Sequence, residues 1–363
     1  MLAGRLTSLD AFRGFVIASM LLVNNAGNDA AFNRQFRHSE WGEFVTFCDL
    51  IFPWFLFIIG VALPFSAASL HRKRPGLLPY ILKVLRRSFL LFSMGVLIDC
   101  SIWKTIKIGL DGTGVLHLIA LAYLCGALLY ELPKRWRLGI AGGLLMAHWA
   151  AIRFVPIPGV GTGVFEPDNN LIAYVNQHLR PYHLAGIFSV VPTTALVLIG
   201  SFFGDLLRGD GVGHREKLRG LLAGGTILAL VGLVWHLDLP MNKAAWSASY
   251  IVFGAGSGAL LLAGFYWAME MAGGRGWAFP FVVYGMNAIT AYFFSIIVRE
   301  HTVKEWIITS ATGEKITVWQ WLLHFWMGNF GTHAGAWMFT LSYLVFWWLV
   351  LLWLYRKGWF LRV

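Results

Sequence analysis

The chain has 363 residues, 58% hydrophobic and only 13% charged, with a mean hydropathy of +0.64. Soluble domains carry about 25% charged residues, so the composition excludes an ordinary soluble domain and points to a polytopic membrane protein. The net charge of +11 does not read as a nucleic-acid footprint, because the Lys and Arg residues fall in short segments between apolar stretches.

Apolar windows of about 19 residues predict ten membrane spans, near residues 8–26, 48–70, 79–100, 112–131, 137–155, 183–207, 219–237, 245–269, 277–299 and 334–355. The expected fold is therefore all-α: one transmembrane helix bundle covering residues 1–363. No cleavable signal is expected, since Asp10 and Arg13 interrupt the first apolar stretch and no small-residue cleavage site follows.

A central Arg or Asp disfavours insertion of a span by about 2.5–3.5 kcal/mol. Asp10 and Arg13 are three residues apart, which places them on one helical face, where they can pair. Such a pair either makes the helix insertable or marks a polar site. The following loop holds His38 in His38-Ser39-Glu40-Trp41, and the second span opens with Cys48-Asp49-Leu50-Ile51-Phe52-Pro53-Trp54. Imidazole titrates near neutrality, so His38 can take a proton from an attacking nucleophile or carry an acyl group briefly. Asp49 is the acid that would orient it.

Further along, Pro53, Pro64, Pro192 and Pro280 each remove a helix hydrogen bond and predict kinks or breaks. His117, inside the fourth span, reads as a satisfied intramembrane histidine, because no paired His, Asp or Glu spacing completes a metal site. Cys48, Cys100 and Cys125 are widely spaced and read as small buried hydrophobes. The segment Val318–Phe330 is too short to span and reads as an interfacial or re-entrant helix.

The ten spans divide the basic residues unevenly. Of the 29 Lys and Arg residues, eighteen fall on the side that carries both termini and ten on the other, with Arg13 inside a span. The richer side is expected to be cytoplasmic. Both termini are then inside, and the loops 27–47, 156–182 and 300–333 face outward together with His38.

Several of these segments carry a pattern. Arg5-Leu6-Thr7-Ser8-Leu9-Asp10-Ala11-Phe12-Arg13-Gly14, Val23-Asn24-Asn25, His38-Ser39-Glu40-Trp41 and Asp49-Leu50-Ile51-Phe52-Pro53-Trp54-Phe55-Leu56-Phe57-Ile58-Ile59-Gly60 follow one another in order. With Gly114-Val115-Leu116, Trp246-Ser247-Ala248-Ser249-Tyr250, Gly285-Met286-Asn287-Ala288 and Tyr355-Arg356-Lys357, the chain resembles the heparan-α-glucosaminide N-acetyltransferase family and its bacterial relatives. Where that family usually reads Gln-Arg after Gly-Val-Leu, this chain reads His117-Leu118.

The resemblance implies an acetyl-CoA-dependent acyltransferase of a bacterial inner membrane. It would carry acetyl from cytoplasmic acetyl-CoA to an amine, an amino sugar or glycoside, at the outer side. His38 is then the general base or transient acetyl carrier, with Asn24 and Asp49 beside it. Asp10, Arg13, Asn287, Arg86, Arg87 and His117 are the donor-side candidates, Asn287 also as a second oxyanion donor. Besides acetyl-CoA and the acceptor, the expected partners are the bilayer and a second copy of the chain; neither metal nor nucleic acid is expected. Intramembrane charge and broken helices fit an amino-sugar or oligosaccharide transporter equally well, and an O-acyltransferase of cell-envelope glycans is a third reading.

Overall fold

A computed structural model describes residues 6–28, 31–105, 114–179, 187–310 and 313–361. Arg5, Lys107, Arg180 and Arg362, used in the charge reading, lie outside the described residues.

Among the described residues the chain is almost wholly helical. The first half runs α1 (Thr7–Asn24), α2 (Phe47–Lys73), α3 (Leu77–Trp103), α4 (Val115–Tyr130), α5 (Lys134–Phe154) and the short α6 (Leu171–Leu179). The second half runs α7 (Val190–Arg208), α8 (His214–His236), α9 (Ala248–Tyr266), α10 (Phe279–Met286), α11 (Ala288–Val298), α12 (Val318–Phe330) and α13 (Thr332–Arg356). Antiparallel strands β1 (Ile307–Thr309) and β2 (Lys315–Thr317) form a hairpin before α12. A helix occupies each of the ten predicted apolar stretches. Among the described residues five helices are long and apolar enough to cross a membrane, six if the bent pair α10–α11 counts as one span. That makes a multi-pass α-helical membrane protein.

Local chemistry sets the ends that matter. Asp49 sits in the first turn of α2 and accepts a hydrogen bond from the Thr46 amide at 3.1 Å, a capping arrangement that satisfies one of the orphan donors at a helix start. α12 opens on the same logic, with Thr317 accepting from the Gln320 amide and Gln320 answering the Thr317 amide. No residue of α12 is buried, consistent with a helix lying against the bundle rather than inside it.

None of the four prolines breaks the helix that holds it, and Pro192 stands in the first turn of α7. α2 is one helix through both Pro53 and Pro64, and Pro280 stands in the first turn of α10, where its missing N–H costs nothing. The break falls instead at Asn287, between α10 and α11, which are bent by 77°.

Small residues let the helices touch backbone to backbone. A Cβ at Gly14 would meet the carbonyl of Phe281, and one at Gly285 would meet the carbonyl of Asp10, so α1 and α10 cross at a point that no larger residue fits. Close approach through glycine is a common way to join membrane helices, where burial of apolar surface from lipid offers little driving force. Around these crossings the fully buried Phe12, Phe57, Trp246, Tyr250 and Tyr266 fill the centre. α8 and α13 bury few of their apolar residues, and Leu230, Val234, Leu349 and Trp353 stand exposed on them, which is the surface a helix presents to lipid.

Candidate active site

His38 lies in the loop between α1 and α2, and that loop is pinned by its own polar groups. Asn33 accepts from the Gln35 amide, the Gln35 side chain accepts from the Phe47 amide at 3.0 Å, and the Thr46 hydroxyl donates to the Arg37 carbonyl at 2.7 Å. The loop is thereby folded back onto the start of α2. There the Asp49 carboxylate, its side chain wholly inaccessible, divides its two oxygens. Oδ2 accepts from the amides of Ser39 and Thr46 at 3.0 and 3.1 Å, and Oδ1 lies 2.7 Å from His38 Nδ1. A carboxylate at that nitrogen draws the proton of a neutral ring onto Nδ1 and leaves Nε2 with its lone pair, the state a base or nucleophile needs. The His38 ring is 59% exposed, so Nε2 has access to a substrate.

Two further groups close on the ring. Lys243 comes from the loop between α8 and α9, with Nζ 3.0 Å from Nδ1, 3.4 Å from Nε2 and 3.8 Å from Asp49 Oδ1. Burial lowers its pKa below the ordinary ammonium value, and the neighbouring Asp49 carboxylate offsets part of that cost. Cys48 Sγ lies 3.4 Å from Nδ1 and 3.8 Å from Nε2. The Lys243 loop is held firmly: Asn242 accepts from the Ala245 amide, and its own amide donates to Ser247 Oγ. Trp246, wholly buried, takes a φ of +51°, a conformation that costs a large residue about 1–3 kcal/mol and persists only where the surroundings enforce it. Behind the site Tyr250 donates to the carbonyl of Asp49 at 2.6 Å.

His38, Cys48, Lys243 and Asn24 line one cavity of about 280 Å³, walled by Ile51, Phe52, Asp99 and Trp103 among others. A second cavity of about 240 Å³ is lined by Arg13, Arg87, Tyr123, Gly285 and Leu361. The two share Met20, Val115, Leu116 and Tyr292 in their walls, so they abut inside the bundle. On α3 the second cavity is lined from Arg87 and the first as far as Trp103, a rise of roughly 24 Å at 1.5 Å per residue, against about 30 Å for a hydrocarbon core.

The other sequence candidates separate by position. Arg13 pairs with Asp10 across 3.1 Å and lies 3.5 Å from the Gly285 carbonyl; Arg13 lines the second cavity, whereas buried Asp10 lines neither. Arg87 lies 4.5 Å over the Tyr123 ring, and its Nε has no hydrogen-bond partner among the described residues. Arg86 is exposed outside both cavities. Asn24 is exposed on the His38 cavity, and its carbonyl accepts from Arg299 at 2.7 Å. Asn287 sits at the α10–α11 break and does not line the His38 cavity, its Oδ1 accepting from the Leu361 amide at 3.4 Å. His117 is wholly buried, accepts from the Gly114 amide at 3.1 Å and packs edge-on to Phe92 without lining either cavity. Lys243 was not singled out from the sequence; the only signal was one cation in a short loop beside Trp246-Ser247-Ala248-Ser249-Tyr250.

A histidine held by a buried carboxylate, opening into a cavity within a helical bundle, defines a multi-pass membrane protein with an interior polar site. Residues 5–241 match the sequence profile of the heparan-alpha-glucosaminide N-acetyltransferase catalytic family, and the chain belongs to that family. It is 24% identical to the heparan-alpha-glucosaminide N-acetyltransferase of Mus musculus over 86% of this chain and 56% of the mouse protein. The corresponding figures for the Homo sapiens protein are 23%, 83% and 54%. The chain thus spans about half the length of the curated relatives it matches.

Proposed function

We propose that the chain is a transmembrane acetyltransferase that takes acetyl from acetyl-CoA on the cytoplasmic side and delivers it to an amine, an amino sugar or glycoside, on the outer side. The proposal includes ten spans with both termini inside, in a bacterial inner membrane. The observation that carries it is the pair of abutting cavities, with Arg13 and Arg87 at one end and His38 at the other. Such a path lets a donor with a charged head and a long arm stay on one side while its thioester reaches the other. Arg87 is the cation best placed for the donor, since guanidinium suits phosphate. Arg13 is partly neutralised by Asp10.

At the far end His38 Nε2 accepts the proton of the attacking amine, or attacks the acetyl carbon itself and carries the group. Asp49 holds the ring and stabilises its cation. As charge develops on the acetyl oxygen, Lys243 and Asn24 are the donors in the same cavity, a role in which one donor is worth roughly 2.7–4 kcal/mol.

The test is release of free CoA by purified protein given acetyl-CoA with glucosamine or a glucosaminide, with His38→Ala alongside. Turnover that vanishes in the folded variant is expected. The 77° break beside Arg13 favours one rival, a transporter of amino sugars, because discontinuous helices border transport sites. Flux of labelled amino sugar into liposomes without acetyl-CoA, and without CoA release, would establish the rival instead.

A further inference from the structure

The sequence reading of Cys48 is a small buried hydrophobe, and it is buried. Its surroundings are not those of an inert core thiol. It lies on the wall of the His38 cavity, its sulfur within reach of both ring nitrogens of His38 at 3.4 and 3.8 Å. The same ring is held by Asp49 at 2.7 Å and faced by Lys243 at 3.0 Å. Cys100 and Cys125 are half-buried and line neither cavity. A nucleophile touching a base, and the base touching an orienting acid, is the arrangement that activates a nucleophile for covalent catalysis. Inert cysteines lie in apolar surroundings, whereas reactive ones lie near positive charge; here the ammonium of Lys243 faces the same ring and offsets the buried Asp49 carboxylate where negative charge gathers on sulfur.

We propose that Cys48 is the acetyl carrier: it accepts acetyl from acetyl-CoA as an enzyme thioester and hands it to the acceptor amine, with His38 as the base in both halves. The proposal rests on the acetyltransferase reading above and replaces its open choice between His38 as base and His38 as carrier. In the first half Sγ attacks the acetyl carbonyl, the carbon–sulfur bond to CoA breaks, and the Sγ proton passes through His38 to the departing CoA sulfur. In the second half the amine nitrogen attacks the acetyl-Cys48 carbonyl and the bond to Sγ breaks. The amine proton passes through His38 back to Sγ. One thioester is exchanged for another, so the driving force is kept for amide formation and no oxidant or reductant enters. The ring, more than half exposed, has room to tilt so that Nε2 meets Sγ while Nδ1 stays on Asp49.

The test uses the full-length protein purified in detergent. Wild-type protein is incubated with acetyl-CoA and no acceptor, quenched in acid and digested, and the Cys48 peptide is weighed. One acetyl group on Cys48, removed by neutral hydroxylamine and absent from Cys48→Ala, is the expected result. CoA release to an amine acceptor should fall by about 10²-fold or more in Cys48→Ala, on the scale of losing a principal catalytic group. Cys48→Ser, nearly the same shape, should fold normally and accumulate a hydroxylamine-resistant acetyl ester, because an alkoxide leaves less readily than a thiolate. Folded Cys48→Ala or Cys48→Ser that turns over at the wild-type rate overturns the carrier and leaves the acetyltransferase intact. So does an acetyl group found on His38 with Cys48 unlabelled. Wild-type protein that neither becomes acetylated nor releases CoA overturns both.

Discussion

Replacing Asp49 by Asn keeps the shape of the side chain and changes one atom from acceptor to donor. The structure dictates which way the amide must turn. Oδ2 receives two backbone amides, from Ser39 and Thr46 at 3.0 and 3.1 Å, and the wholly inaccessible side chain leaves no water to rescue them. The Asn carbonyl therefore takes that place, since an NH2 group there would face two N–H donors and leave them unsatisfied at about 1–3 kcal/mol each. Its NH2 then points at His38 Nδ1, which must become an acceptor, and the ring proton moves to Nε2. The base is lost although every atom keeps its position. General base catalysis contributes about 10²–10⁴-fold, or roughly 2.7–5.4 kcal/mol at about 1.36 kcal/mol per decade. The exchange of a carboxylate for an amide costs about 0.3–1 kcal/mol at a helix start and also removes the charge that offsets the burial of Lys243, so the unfolding temperature in detergent should fall while the helix start keeps its hydrogen bonds. CoA release measured with a thiol reagent should drop by two to four decades in the protein that remains folded. A folded Asp49→Asn variant within about threefold of wild type, less than 1 kcal/mol, would refute the orienting role.

Two other outcomes follow from the same geometry. Burial lowers the pKa of Lys243 in the folded protein, so its ammonium is present at low pH and lost as pH rises through a value below the ordinary figure of about 10.4; the wild-type rate should show an alkaline limb there, and Lys243→Met should remove the limb together with about 10²-fold of the rate. The unfolded chain holds that proton over the same window, so the lysine's effect on stability grows more favourable as pH rises through it, and unfolding temperatures of Lys243→Met against pH should lack this gain. For Arg87→Gln, the loss of a phosphate-binding guanidinium should raise the KM for acetyl-CoA by about tenfold or more, at about 1.5–3 kcal/mol for a charged hydrogen bond, while the acceptor KM and the pH profile stay in place; an unchanged donor KM would remove Arg87 from the donor site.

Much of the protein was readable because the controlling physics is local. A bilayer demands helices with satisfied backbones and apolar faces, so hydropathy alone located every long helix among the described residues. The Asp10–Arg13 pair followed from a spacing of three on one helix, and the His38–Asp49 contact joins residues only eleven apart, across one loop and a helix cap. What escaped the sequence is contact between distant segments. Lys243 lies 205 positions from His38, and it reaches the ring because a strained turn at buried Trp246 and a Tyr250 hydrogen bond to Asp49 dock the start of α9 against the start of α2. The Asn287 break has the same origin: Gly14 and Gly285 allow α1 and α10 to meet backbone to backbone, which proline positions could not foretell. Composition and periodicity determined that this chain is a helical membrane protein with a histidine at a helix mouth. Only packing decided that the Lys243 ammonium, 205 positions away, joins the nearby Cys48 thiol at that histidine, because side chains so far apart in the chain meet through the shapes of whole helices.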